Sequence, residues 1–211
     1  MKWESLLEIV GDEAVFPSAL LLSGKVSSAQ VRLQLSRWVH KGRLIQLRRG
    51  LYALAPAWRK VEAHPFLVAN KLRRGSYVSL QSALAFHGVI PEQVQVITSV
   101  GPGRPETLRN ALGAFQFRHL VAGMMFGYSQ MEIATRQLAF VASAEKALLD
   151  LAYLTPGADS PDYLRELRLQ NSGAFSTQLL RKLAEQSGKP KLVRTARTVA
   201  ALLSEQEGES L

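Results

Sequence analysis

From residue 14 to residue 61 the chain contains no aspartate or glutamate. The same stretch carries nine positive charges: Lys25, Arg32, Arg37, Lys41, Arg43, Arg48, Arg49, Arg59 and Lys60. A one-signed field repels itself in a folded domain and is usually kept where the partner is a polyanion. The hydrophobic pattern beneath the charges reads helix, turn, helix and then a tight β-ribbon, which narrows the polyanion to nucleic acid and favours duplex DNA.

Leu6, Leu7, Ile9 and Val10 predict a short first helix ended by Gly11. Phe16-Pro17 is expected to open a second, over residues 18–22, because a proline at the first helical position loses no hydrogen bond. Ser23-Gly24 closes it. Ser27-Ser28-Ala29-Gln30 then reads as a capping box, Ser27 accepting from the Gln30 N–H while the Gln30 side chain reaches back. The helix it opens places Val31, Leu35, Trp38 and Val39 on one face, and Gly42 ends it. Residues 43–47 and 51–54 read as two strands around Arg48-Arg49-Gly50, where Gly50 supplies the positive φ of a tight turn.

Three helices followed by a two-stranded wing, over residues 1–56, is the order of a winged helix-turn-helix. In that arrangement the third helix enters the major groove and the wing lies on the flanking backbone. The expected DNA contacts follow. Ser27 and Ser28 sit at the helix N-terminus, where N–H groups hold phosphate. Gln30, Arg37, His40 and Lys41 lie on the exposed side, with Arg32 and Gln34 at its margins. Gln30 and Arg37 are expected at base edges. Arg43 belongs to the wing, and Arg48 and Arg49 to its tip, for phosphate or the minor groove.

The net charge of +9 is unevenly shared. Residues 1–60 hold ten Lys/Arg against four Asp/Glu, residues 61–161 eight against seven, and residues 162–211 eight against six. The absence of cysteine excludes disulfides, Cys-based zinc sites and thiol nucleophiles. Met1-Lys2-Trp3-Glu4 opens no signal peptide, and no run of 18 apolar residues occurs. A soluble, cytoplasmic protein without a membrane role is expected.

A linker at 56–61 precedes the second segment, 62–211. Helices are expected at 64–72 and, capped by Ser79, at 80–87, with strands at 77–78, 94–100, 115–118, 121–126, 131–134 and 137–141. An apolar helix at 144–154 is capped by Ser143. From about residue 160 the chain reads as a helical tail: 161–169, 177–186 and 191–204. The fold class is α+β. His40, His64, His87 and His119 share no ligand spacing, so no metal is expected. Gly101-Pro102-Gly103 lacks the donors and following helix of a phosphate loop. Glu145, Lys146 and Asp150 do not match a nuclease carboxylate set, and Lys146 with Asp150 reads as a surface ion pair four residues apart. Met124-Met125-Phe126 reads as core. Lys191, Arg194 and Arg197 read as a solvated helix face.

Three stretches resemble one family. Residues 77–92, YVSLQSALAFHGVIPE, look like the opening of the AbiEi-type antitoxin domain, and residues 140–150, FVASAEKALLD, like its closing signature. Trp38-Val39-x-Lys41-Gly42-Arg43-Leu44 with Arg49-Gly50-Leu51-Tyr52 resembles the winged helix attached to it. The resemblance implies an antitoxin of a bacterial type IV toxin–antitoxin system. Such a protein counters a nucleotidyltransferase-like toxin and represses its own promoter by binding inverted repeats, with self-association on DNA as a further implication. It implies no cofactor and no catalysis. Lys71, Arg73, Arg74 and Arg118 form the candidate toxin-facing set, since a nucleotide-handling toxin can present acidic metal ligands. Two other readings stay open: a stand-alone regulator whose second domain senses a ligand or dimerises, and an enzyme acting on nucleic acid, for which no convergent catalytic set exists.

Overall fold

The computed structural model describes residues 1–22, 27–170 and 175–209. Lys25 and the expected Ser23-Gly24 helix stop lie outside them. Helix α1 (Trp3–Val10) buries Trp3, Leu6 and Val10 and stops at Gly11, whose φ is +56°. The expected second helix is different in kind. Phe16–Pro17 is a short strand, β1, and the chain then makes one 3₁₀ turn, Ser18–Leu21. Proline's fixed φ and missing donor suit a sheet edge as well as a helix start. Phe16 pairs with Tyr52, and their rings stack 6.1 Å apart.

Helix α2 (Ser28–His40) buries Val31, Leu35 and Trp38. Ser27 is its N-cap residue, but the side chain makes no capping hydrogen bond, so the expected capping box does not form. Residues 27–30 are all exposed, so the first N–H groups of the helix need no side-chain cap to avoid burial. Strands β2 (Leu44–Arg48) and β3 (Leu51–Leu54) join through Arg49-Gly50, with Gly50 at φ +79°. The sheet order is β1-β3-β2.

Alternation along the hairpin makes it two-faced. Leu44, Tyr52 and Leu54 close a core with Leu6, Phe16, Leu35 and Trp38. Leu47, Leu51 and Ala53 turn the other way and join the core of the second segment. All four residues of β3 are consequently buried.

The second segment opens with α3 (Pro65–Leu72), whose N-cap, His64, accepts from the Phe66 N–H. A six-stranded mixed sheet follows in the order β6-β7-β5-β4-β9-β8. Its strands are β4 (Tyr77–Val78), β5 (Val96–Gly101), β6 (Glu106–Asn110), β7 (Gly113–His119), β8 (Tyr128–Ala134) and β9 (Gln137–Ala142). Strand β6 was not expected: as a sheet-edge element of sequence ETLRN with no buried residue, it carries no apolar alternation. The expected strand at 121–126 is instead a 3₁₀ turn, Ala122–Met124, with Met124 buried. Helix α4 (Leu80–Phe86) lies against β5 and against α5 (Ala144–Leu154). Helices α7 (Thr177–Gln186) and α8 (Pro190–Glu209) pack on each other and on α5, and the short α6 (Pro161–Glu166) meets α8.

Residues 144–152 of α5 are buried without a break, because α4 and the α7–α8 pair wrap the helix. The helical tail is thus part of the core, through Leu180, Leu183, Leu192, Val199 and Leu203. Glu145 accepts from the Ser176 N–H at 2.7 Å and holds the start of α7. The expected surface ion pair of Lys146 and Asp150 is fully buried, each side chain being 0% exposed. Asp150 also accepts from the Tyr77 hydroxyl at 2.9 Å and the Ser79 hydroxyl at 2.8 Å. The Lys146 ammonium lies over the Phe126 ring at 4.9 Å. Burial pushes the Asp150 carboxyl above its ordinary range and the Lys146 ammonium below its own, and each partner opposes the other's shift.

Removing one member of such a pair strands the other. Lys146→Met is expected to lower unfolding free energy by about 3–5 kcal/mol. The double variant Lys146→Met/Asp150→Asn is expected to recover part of that loss, because asparagine still accepts from Tyr77 and Ser79 without a buried charge. Urea denaturation of the parent, both single variants and the double variant checks this, and strictly additive losses would show that the pair is not coupled.

Candidate nucleic-acid interface

Residues at spacings of four, seven and eleven share one side of a helix. Gln30, Gln34, Arg37 and Lys41 have these spacings on α2 and its C-terminal end, flanking the buried stripe of Val31, Leu35 and Trp38. Gln34 is half-buried and the other three are exposed. The side chains of Arg37, Lys41 and, at the hairpin turn, Arg49 make no hydrogen bond or ion pair among the described residues. Three cations thus stand with their charge available.

Leu33 was missed by the sequence reading. It lies away from the buried stripe and is 55% exposed, more than any other large apolar side chain among the described residues. Its signal was legible: an apolar residue out of phase with the 31/35/38 stripe of an otherwise polar face. Exposed Ser36 and His40 lie on the same outer side.

The five other described cations of the acid-free stretch are engaged within the fold. Arg32 turns back along α2 to the Ser28 carbonyl at 3.2 Å. The Arg43 guanidinium lies 5.2 Å from the Trp3 ring and 5.5 Å from the Trp58 ring. Trp3 in turn packs edge-on against both Trp38 and Trp58. Arg48 donates to the Leu72 carbonyl at the end of α3. Arg59 pairs with Glu62 at 3.0 Å, and Lys60 with Asp12 at 3.5 Å.

The toxin-facing set does not form one free patch. Arg73 pairs with Glu106, donates to the Arg104 carbonyl at 2.5 Å and covers the Phe117 ring at 5.0 Å. Arg118 donates to the Leu154 carbonyl at 3.0 Å. Lys71 and Arg74 keep exposed side chains without such partners among the described residues.

The histidines stand in separate places. His64 caps α3, His87 Nε2 lies 2.8 Å from the Ala142 carbonyl, and His119 Nδ1 lies 3.2 Å from the Gly103 carbonyl. Among the described residues no group of three or more His, Cys, Asp or Glu is placed to hold a metal ion. Nor is any described helix long and apolar enough to cross a membrane.

The family described as "Transcriptional regulator, AbiEi antitoxin" matches residues 25–55, the span that contains α2 and the hairpin. The resemblance to AbiEi-type regulators therefore holds over the segment that carries the free cations, and it supports a regulator or antitoxin role. Among solved structures, the chain is similar to the crystal structure of the RV2827C protein from Mycobacterium tuberculosis. That similarity is 18% in sequence, with a TM-score of 0.53 over 93% of this chain and 74% of that one, and it shows the fold. No curated protein matches the chain.

A cation packed against two indole rings is a packing group as much as a charge. Arg43→Ala is expected to lower stability by about 1–2 kcal/mol. Arg37→Ala is expected to stay within about 0.5 kcal/mol of the parent. Urea unfolding followed by tryptophan fluorescence separates the two, and equal midpoints for both variants would remove Arg43 from the structural group.

Proposed function

We propose that the chain is a winged-helix transcriptional regulator that binds duplex DNA through α2 and the β2–β3 turn, and that it serves as the antitoxin and autorepressor of a type IV toxin–antitoxin pair. The observation that carries this reading is the set Gln30, Arg37, Lys41 and Arg49. These side chains are exposed and lack competing partners among the described residues, on a helix and turn of the order that docks in a major groove. Gln30 and Arg37 are assigned to base edges, Lys41 and Arg49 to phosphates, and Leu33 to apolar contact such as a thymine methyl. The open N-terminus of α2, with Ser27 and Ser28 uncommitted to capping, adds a phosphate position. Arg43 and Arg48 are assigned to the fold rather than to the DNA.

The antitoxin half of the reading rests on the AbiEi resemblance, with a nucleotidyltransferase-like toxin as the partner and inverted repeats in the promoter as the operator. It assigns the chain no catalytic step and no cofactor. The division at residues 56–62 is kept as two functional segments, 1–56 and 62–211. Because Leu47, Leu51 and Ala53 complete the second segment's core, the two are best separated by surface substitutions in the whole chain rather than by truncation.

With about three phosphates met per chain, log K for DNA is expected to fall with a slope of roughly −3 against log salt. Arg37→Ala is expected to cost about 1–3 kcal/mol on the operator and little on random DNA. Arg49→Ala weakens both and flattens the slope, whereas Arg48→Ala leaves the slope unchanged. Fluorescence anisotropy over a salt series checks all three, and equal losses on operator and random DNA for Arg37→Ala would overturn the groove assignment. For the antitoxin half, an Arg37→Ala/Arg49→Ala chain is co-expressed with the product of the neighbouring reading frame, which this reading requires to be a nucleotidyltransferase. Restored growth is expected. Continued toxicity with normal levels of the folded variant would tie protection to repression alone.

A further inference from the structure

The first segment and the large sheet leave a cleft of about 610 Å³ between them. This falls in the range of roughly 300–1,000 Å³ that holds small-molecule ligands. One wall is the loop at residues 12–14; the other is α3 with β8 and β9. Its apolar lining includes Leu138 at 49% and Phe140 at 43% exposed. Helix α3 brings Lys71 and Arg74, whose side chains have no hydrogen bond or ion pair among the described residues.

Between them lies Asn70. Its Oδ1 accepts from the Phe140 N–H at 2.6 Å, while its Nδ2 is buried and has no partner. That nitrogen has essentially no solvent-accessible surface, so Asn70 ties α3 to β9 rather than presenting a donor to the cleft. Carboxylates are present too. Asp12 is already shared by Lys60 and Arg136, and Glu13 lines the opposite wall.

We propose that this cleft is a binding site for a small aromatic anion, a carboxylate or sulfonate carried on a flat apolar body. Lys71 and Arg74 take the charge, and Leu138 and Phe140 cover the ring. A bare inorganic anion leaves Leu138 and Phe140 wet, and a neutral hydrocarbon leaves both cations unmatched. The walls come from both segments of the chain, so an occupied cleft ties them together and stabilises the whole fold by mass action. The proposal stands independently of the DNA reading.

The test uses the full chain and 8-anilinonaphthalene-1-sulfonate, an aromatic monoanion that reports burial by fluorescence. One saturable site is expected, together with a melting temperature that rises with dye concentration. Arg74→Glu and Lys71→Glu are each expected to weaken binding at least about tenfold, as loss and reversal of a charge-assisted contact do. Phe140→Ser is expected to weaken it similarly, and Lys182→Glu, outside the cleft, to leave it unchanged. Sodium sulfate at matched ionic strength should not displace the dye. Melting curves without dye establish that each variant is folded; if Phe140→Ser is not, the two α3 variants decide. Absence of saturable binding, equal affinity in the folded cleft variants, or stoichiometric displacement by sulfate would overturn the proposal.

Discussion

The Lys146–Asp150 pair sits where the second segment is joined together. Asp150 receives a proton donor from β4 through Tyr77, a second from the start of α4 through Ser79, and a third from its own helix through Lys146. Sheet, α4 and α5 are thereby fixed to one carboxylate. The lysine stem is equally confined. A side chain at position 127 would come within 3.1 Å of the Lys146 Cβ and Cγ, so a glycine is required there, at φ +69°. The same glycine's carbonyl accepts from the Ser143 N–H at 3.0 Å, at the point where α5 begins. A hydrophobic pair of similar volume could pack as well. It could not hold both hydroxyls, and the register of Tyr77 and Ser79 against α5 would then rest on shape alone.

A second constraint runs from this core to the candidate interface. Strand β3 is buried on both faces, so the hairpin that carries Arg49 is clamped between two cores. Arg48 adds a hydrogen bond to the last turn of α3, and Gln137 bridges the connection by accepting from the His64 N–H and donating to the Glu62 carbonyl, both at 2.8 Å. The stretch that reads as a linker is held at several points. Helix α3 and strand β9, which with β8 form one wall of the cleft, are thus tied to the hairpin by hydrogen bonds and a shared core.

The local elements were largely legible in the sequence, and their partners were not. The helix over 177–186, the Ser143 cap and the Gly50 turn follow from local chemistry and stand as expected. The Phe16-Pro17 start was misread because proline's geometry fits a sheet edge and a helix equally. Lys146 and Asp150 were misplaced because spacing reveals that two charges meet, not whether a third and fourth layer covers them. At the candidate interface the charge run was visible, but sorting it was not. Arg43 and Arg37 are chemically the same residue in the sequence; only the position of Trp3 and Trp58 makes one a packing group and leaves the other free.

That sorting changes the meaning of the acid-free stretch. Nine like charges in 48 residues would be expected to repel each other if all faced the same solvent. The fold disposes of most of them by means that need no acid inside the stretch. Indole faces take Arg43, main-chain carbonyls take Arg32 and Arg48, and Asp12 and Glu62, just outside the stretch, take Lys60 and Arg59. What is left concentrated on α2 and the turn is a small set of cations with nothing beside them to neutralise them. Under the DNA reading proposed above, an acidic residue beside these few would relieve the repulsion only by neutralising them, and the acid-free stretch leaves Arg37, Lys41 and Arg49 unpaired among the described residues.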